Sequence, residues 1–176
     1  REALEKASRL QNAGERERYV AEIEREHKAP ALEHLRAALA RGVESPAYAH
    51  GLIALHEGRL EEALARAGEA FAAAPWLHEA KKLEGDVLFE IGSRTGHDRV
   101  FDNARSSAAF ERAAAAYRAA ADLARSDPSI HEAECVLWTQ VMNAAAEHGG
   151  SMRPGFERAK GACERAIAAS PRRASS

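Results

Sequence analysis

Residues that favour β-strands are scarce in this sequence of 176 residues. Valine, isoleucine and threonine together number roughly a dozen, whereas alanine, the strongest helix former, accounts for about 40 positions. Aromatic residues make up only 6% of the chain, but 45% of its residues are hydrophobic, which suffices for one domain with a buried core. The composition therefore predicts an all-α fold and argues against a wholly disordered chain.

Cysteine is nearly absent as well. The chain has only Cys135 and Cys163, too few for a disulfide scaffold, and a domain of this size does not need one. We therefore expect both thiols to be reduced. Reduced thiols favour a cytoplasmic location.

The sequence has neither an excess of basic charge nor a long apolar run. Its 25 Lys and Arg residues are balanced by 27 Asp and Glu residues, which leaves a net charge of −2. No stretch approaches the roughly 18 consecutive apolar residues of a membrane span, and no signal peptide is visible. We therefore expect neither nucleic-acid binding nor membrane insertion.

Proline and glycine divide the chain into eight stretches whose apolar residues recur with the period of an α-helix. Pro30 is suited to open the second helix, and Ser45 followed by Pro46 is suited to begin the third. The predicted helices cover approximately 2–27, 30–41, 46–56, 59–74, 76–91, 106–125, 130–147 and 156–169.

Small residues recur at corresponding positions of successive helix pairs, where two helices approach closely only if no bulky side chain intervenes. The first series is Gly51, Gly58, Ala63, Ala70 and Pro75. In the second, Gly85 stands at the close-approach position, Gly92 at the turn between the helices, and Ala113, Tyr117 and Ala120 on the second helix. The third is Ala159, Cys163, Ala166 and Pro171. The pattern resembles the tetratricopeptide repeat (TPR), whose period is about 34 residues. This resemblance implies a right-handed superhelical stack of antiparallel helical hairpins, a TPR-like α-solenoid of about eight helices.

The predicted repeat domain spans 1–171, with hairpins at about 2–41, 44–75, 76–126 and 129–171, followed by a disordered tail at 172–176. The spacing from Gly85 to Ala113 exceeds that from Gly51 to Ala63 by about 16 residues, so an insert near 92–106 is expected to form a long loop. A second insert is expected near 148–155. Trp138 stands where the family has glycine, which puts the geometry of the last hairpin in doubt.

A narrower resemblance rests on residues 73–85, which look like the repeat regions that follow the catalytic domain in some bacterial serine/threonine protein kinases. Because the chain opens at Arg1 without an initiator Met, we expect it to be a segment of a longer protein. It contains neither the glycine-rich loop nor the His-Arg-Asp loop of a kinase catalytic domain.

The sequence has few motifs typical of catalytic or metal-binding sites. No two histidines stand at i and i+4, and His-Glu-x-x-His and Cys-x-x-Cys are both missing. His131, Glu134 and Cys135 share a helical face, yet a partly exposed helix start explains them better than a zinc site. We therefore predict no catalytic residue, no cofactor and no metal in this segment.

The TPR resemblance implies that the first helix of each hairpin lines a concave groove that binds partners. Helical phasing from the family pattern places these residues on the groove: Tyr48, Leu52, His56, Lys82, Asp86, Phe89, Thr139 and Asn143. For Tyr48, Leu52 and Phe89 a role in the core between helices is an equal alternative. The expected partner is a protein or an extended or helical peptide.

Two alternative functions remain open from the sequence. The segment is either a regulatory or substrate-recruiting region of a bacterial serine/threonine kinase, or a self-association module whose edge helices stack between copies in a homo-oligomer.

Overall fold

The computed structural model describes residues 13–97 and 103–170, and in these residues every regular element is helical. The predicted helix start at Glu2, the middle of the first insert and the tail at 172–176 lie outside the described residues. We number the helices α1 Ala13–Ile23, α2 Ala29–Arg41, α3 Pro46–His56, α4 Leu60–Ala73, α5 His78–His97, α6 Asn103–Leu123, α7 Pro128–Glu147 and α8 Arg153–Ala169.

The first predicted hairpin, 2–41, is wrong within the described residues, because α1 and α2 form one unbroken helical rod. A π-helical turn, Glu24–Lys28, joins them, and the N–H of Ala29 donates to the carbonyl of Glu24 five residues earlier. Pro30 has no N–H to donate, and its ring would clash with the carbonyl four residues before it. The widened turn accommodates this proline, so the helix continues where we predicted a break.

The rod contacts the first hairpin through α2. α2 packs against α3, and Arg36 Nη2 lies 2.5 Å from Glu57 Oε1. Gly42 ends α2 with a φ of 86°, a left-handed conformation that favours glycine. Within the described residues the rod is therefore attached to the first hairpin and forms no hairpin of its own.

The six remaining helices pack as three consecutive hairpins, α3 with α4, α5 with α6 and α7 with α8. In the second hairpin Gly85 lies against Tyr117, and Gly92, two turns later, lies against Phe110, which precedes Tyr117 in the chain. The two helices are therefore antiparallel. Each hairpin packs against the next through α4 and α5 or α6 and α7, and α5 also contacts α3 and α7.

The described ends of the insert near 92–106, where a loop was predicted, lengthen both helices of the second hairpin. α5 continues to His97, and α6 begins at Asn103. Inside the extension the Ser106 hydroxyl donates to the Gly92 carbonyl at 2.8 Å. Because Gly92 has no side chain, the ring of Phe110 packs directly on the backbone of α5, and the added turns are bound together by tertiary contacts.

The second insert is shorter than predicted, because α8 begins at Arg153 rather than at Phe156. Helix α8 approaches α7 closely at Gly155, where a Cβ atom would lie 3.0 Å from the backbone of Met142. The bulky Trp138 does not allow such an approach at its own position. The Trp138 ring is 4% exposed and packs under the guanidinium of Arg158, 4.4 Å from the ring centroid. The last hairpin therefore forms with the bulky ring in place.

Alanine dominates the core, which consists of two apolar clusters. One joins α3, α4 and α5, and the other joins α5, α6, α7 and α8. Leu64 and Ile91 pack against both clusters and make the core continuous. α5 contributes buried residues to both clusters, which makes it the central helix of the described fold. The largest side chains that are fully buried are Tyr117, Leu83, Leu88, Ile130, Leu137 and Val87.

The two cysteines form a disulfide, which contradicts the predicted reduced thiols. Cys135 on α7 and Cys163 on α8 are bonded, with their Cα atoms 4.9 Å apart. Their spacing of 28 residues gave no indication of pairing, because the antiparallel packing of α7 and α8 is what brings them together. A structural disulfide favours an oxidising compartment, so the argument for a cytoplasmic location from the cysteine count no longer holds.

Within the part of the chain that the structure describes, no helix is both long enough and apolar enough to span a lipid bilayer.

Candidate binding face on helices α3, α5 and α7

Three of the predicted groove residues converge at the centre of the molecule. Lys82 Nζ lies 2.9 Å from Asp86 Oδ2, one turn along α5. Tyr48 on α3 is close enough to Asp86 for that carboxylate to affect its pKa. The convergence joins the first helices of two hairpins, and we call the surface formed by Tyr48, Lys82, Asp86 and Asp127 the first-helix face.

Tyr48 has an environment that favours its neutral form. Burial is the main cause that raises the pKa of its phenol above the ordinary value, and the negative charges of Glu79 and Asp86 raise it further. The ring packs against the apolar cluster of the first hairpin, beside Leu52. Tyr48 therefore presents a neutral hydroxyl, able to donate a hydrogen bond, next to carboxylates.

Tyr117, a buried residue of α6, fixes the position of the Asp86 carboxylate. Its hydroxyl donates to Asp86 Oδ1 at 2.8 Å, and its side chain is 1% exposed. The missing side chain at Gly85 makes room for the ring. We predicted Tyr117 as a repeat residue of the second helix but not as a support of the groove. The sequence signal for this support was Gly85 followed by Asp86 on the first helix of the hairpin, with Tyr117 on the second helix.

Asp127 extends the same face to α7, and the prediction of groove residues missed it. Its carboxylate caps α7 by accepting a hydrogen bond from the N–H of Ser129 at 2.9 Å. Partial burial by itself raises its pKa, but the hydrogen bonds from Ser129 and the charges of His78 and Lys82 hold the pKa below its usual value. His78 Nε2 lies 3.7 Å from Asp127 Oδ2.

On this face three carboxylates outnumber two basic side chains, Lys82 and His78. Glu79, Asp86 and Asp127 are within interaction range of Tyr48 or Lys82, and Lys82 is placed between two of these carboxylates. Partly buried charges interact more strongly than fully solvated ones, because water screens them less. The face is therefore suited to hydrogen bonding and to attracting a positively charged group.

The other predicted groove residues are not part of this cluster. Leu52 packs against the core, as the alternative interpretation predicted, and Phe89 packs on Phe110 with ring centroids 5.9 Å apart. The Thr139 hydroxyl donates to the Cys135 carbonyl of its own helix. Two predicted groove residues are exposed away from this cluster. His56 lies at the end of α3, and Asn143 lines a separate cavity between α6 and α7.

The face of α7 that carries His131, Glu134 and Cys135 has a different role from metal binding. Cys135 is bonded to Cys163, and Glu134, only 3% exposed, accepts a hydrogen bond from Arg165 at 2.8 Å. Across residues 13–97 and 103–170, no group of three or more His, Cys, Asp or Glu side chains is placed to hold a metal ion. Glu134 instead links α7 to α8.

No protein-family model, curated protein or solved structure matches this chain. Its function is therefore inferred from the geometry of the first-helix face.

Proposed function

We propose that this chain is a non-catalytic, TPR-like scaffold that binds a protein or peptide on its first-helix face. The observation that carries the proposal is that Lys82 and Asp86, paired on α5, lie within electrostatic range of Tyr48 on α3. The repeat pattern assigns all three residues to one groove. The consecutive packing of the three hairpins and the contacts of α5 with both α3 and α7 support a TPR-like solenoid.

The charge of the face favours one class of peptide. A basic side chain would be attracted to Glu79, Asp86 and Asp127, while Tyr48 would donate a hydrogen bond to the peptide backbone. We therefore propose an extended peptide with at least one Lys or Arg as the ligand.

Selection from a random-peptide display library on the wild-type chain tests the proposal. We expect enriched peptides to carry Lys or Arg. We also expect Glu79→Gln/Asp86→Asn to bind them about tenfold more weakly in fluorescence anisotropy, because charge complementarity is lost. The Asp86→Asn change keeps an oxygen that can accept the Tyr117 hydrogen bond.

The matched control is Glu33→Gln/Glu61→Gln, which removes the same charge from exposed positions on α2 and α4. The control is expected to bind as the wild type does. Equal binding by both double variants, or the enrichment of no peptide, would refute the proposed face.

Self-association is a second candidate, favoured by the exposed apolar residues of α8. Phe156 and Ile167 are 52% and 55% exposed. They lie about three helical turns apart and hence on one face of the helix. A second copy could cover this face. We expect the mass measured by light scattering to rise with concentration for the wild type but not for Phe156→Ser/Ile167→Ser, whereas a monomeric wild type at all concentrations would exclude self-association.

A further inference from the structure

The two inserts that interrupt the repeat pattern meet at a single cavity. Its volume is about 670 Å³, and it lies between the second and third hairpins. The first insert contributes Gly92, Ser93, Ser106 and Ser107, and the second contributes His148, Gly150, Pro154 and Gly155. Helical extensions of both hairpins therefore create a space that an uninterrupted repeat would not have.

The inner wall of the cavity is apolar. Phe110 and Trp138, both less than 10% exposed, contribute aromatic rings, and Val141, Ala144 and Ala145 line the side formed by α7. These side chains belong to packed helices rather than to loops, so the wall is preformed. Apolar walls of this kind bind organic molecules chiefly by burying their apolar surface.

The rim is polar, and the strongest cation on it is already paired. Arg158 stacks on Trp138 and forms an ion pair with Glu111 across the gap between α8 and α6. Gln140 and Asn143 add amide groups that both donate and accept hydrogen bonds. Because Glu111 neutralises Arg158 and Glu147 adds a negative charge to the lining, the cavity does not favour a phosphate or another strong anion.

The volume of the cavity indicates the type of occupant. Small-molecule sites typically enclose about 300–1,000 Å³ and combine an apolar wall with a few polar groups. This cavity meets both criteria and is separate from Tyr48, Lys82 and Asp86. We propose that it is a second binding site, which takes a small, uncharged organic molecule with one or two hydrogen-bonding groups.

The neutral dye N-phenyl-1-naphthylamine is a suitable probe, because it fluoresces in apolar sites and its absorption overlaps tryptophan emission. The chain has two tryptophans, and Trp76 is 70% exposed in the turn before α5, so Trp76→Phe leaves Trp138 as the only donor. We expect saturable binding of one dye per chain, with quenching of Trp138 emission by energy transfer to the dye.

Two double variants, made in the Trp76→Phe background, distinguish binding of the dye in the cavity from nonspecific adsorption of the dye to the protein surface. Ser107→Phe/Asn143→Phe places rings in the cavity from exposed positions of α6 and α7, whereas Ala108→Phe/Ala146→Phe adds the same rings at exposed positions that do not line it. We expect the cavity variant to bind the dye at least about tenfold more weakly and the control to bind normally. Equal binding by the two variants, or a signal that never saturates, would overturn the proposal.

Discussion

Gly85→Ala is expected to destabilise the protein by about 2 kcal/mol, although alanine is the better helix former. A Cβ atom at residue 85 would lie 2.5 Å from Tyr117 Cε1 and 2.6 Å from Cδ1, well inside van der Waals contact. The Tyr117 ring is fully buried and bound to Asp86, so it has no room to move. The helices α5 and α6 would have to separate, which weakens their packing along the whole hairpin.

Gly68→Ala is the matched control, since it makes the same chemical change in the middle of α4. A Cβ atom there meets nothing within 4 Å, and Gly68 is exposed. We expect this variant to be more stable than the wild type by about 0.5–1 kcal/mol, because alanine loses less backbone entropy in a helix. Urea unfolding followed by circular dichroism measures both changes. If the two substitutions shift stability in the same direction, close packing at Gly85 is not the reason for its presence.

Loss of the disulfide is expected to have the largest effect on stability. The bond closes a loop of 28 residues, and the chain-entropy relation for such a loop predicts a loss of about 3.5 kcal/mol when it is removed. Cys135→Ala/Cys163→Ala should therefore unfold at a lower urea concentration than the oxidised wild type. The bond joins α7 to α8, so the last hairpin should lose its helical signal first.

Reductant provides an internal control for this prediction. Dithiothreitol should destabilise the wild type to about the level of the double variant and leave the double variant unchanged. Thiol titration of the denatured wild type, purified without reductant, should detect no free thiol. Two free thiols, or a wild type whose unfolding does not respond to dithiothreitol, would show that the bond does not form.

The α-helical class could be read from the sequence because it depends on local properties. Alanine stabilises helices wherever it occurs, and the apolar residues recur at helical spacing whatever they pack against. Gly51 and Gly85 marked close helix contacts correctly, since at each of them a Cβ atom would lie within 3 Å of a neighbouring side chain. Gly92, predicted as a turn residue, lies inside α5 against Phe110 instead. Such positions leave a local signature, because glycine is otherwise unfavourable inside a helix.

The proposed binding face was only partly predictable. Tyr48, Lys82 and Asp86 were found because the repeat pattern specifies which side of each first helix they occupy. Asp127 was not predicted as part of the face. Its role as the cap of α7 can be recognised locally, but its proximity to His78 and Lys82 depends on how α7 packs beside α5. Phe89 and Asn143 have the same predicted helical phase as the groove residues but lie elsewhere in the structure. Phe89 packs on Phe110, and Asn143 lines the cavity beside the lengthened second hairpin.

The sequence by itself determined the helical class, most helix positions and the close contacts at Gly51 and Gly85, all of which leave a signal within a few residues. The tertiary structure decided the path of the chain through Pro30, the helical form of the first insert up to His97 and the partner of each cysteine. These features depend on contacts between residues distant in sequence. Packing against Phe110, for example, keeps the turns after Gly92 helical, although their glycine and polar residues favour a loop.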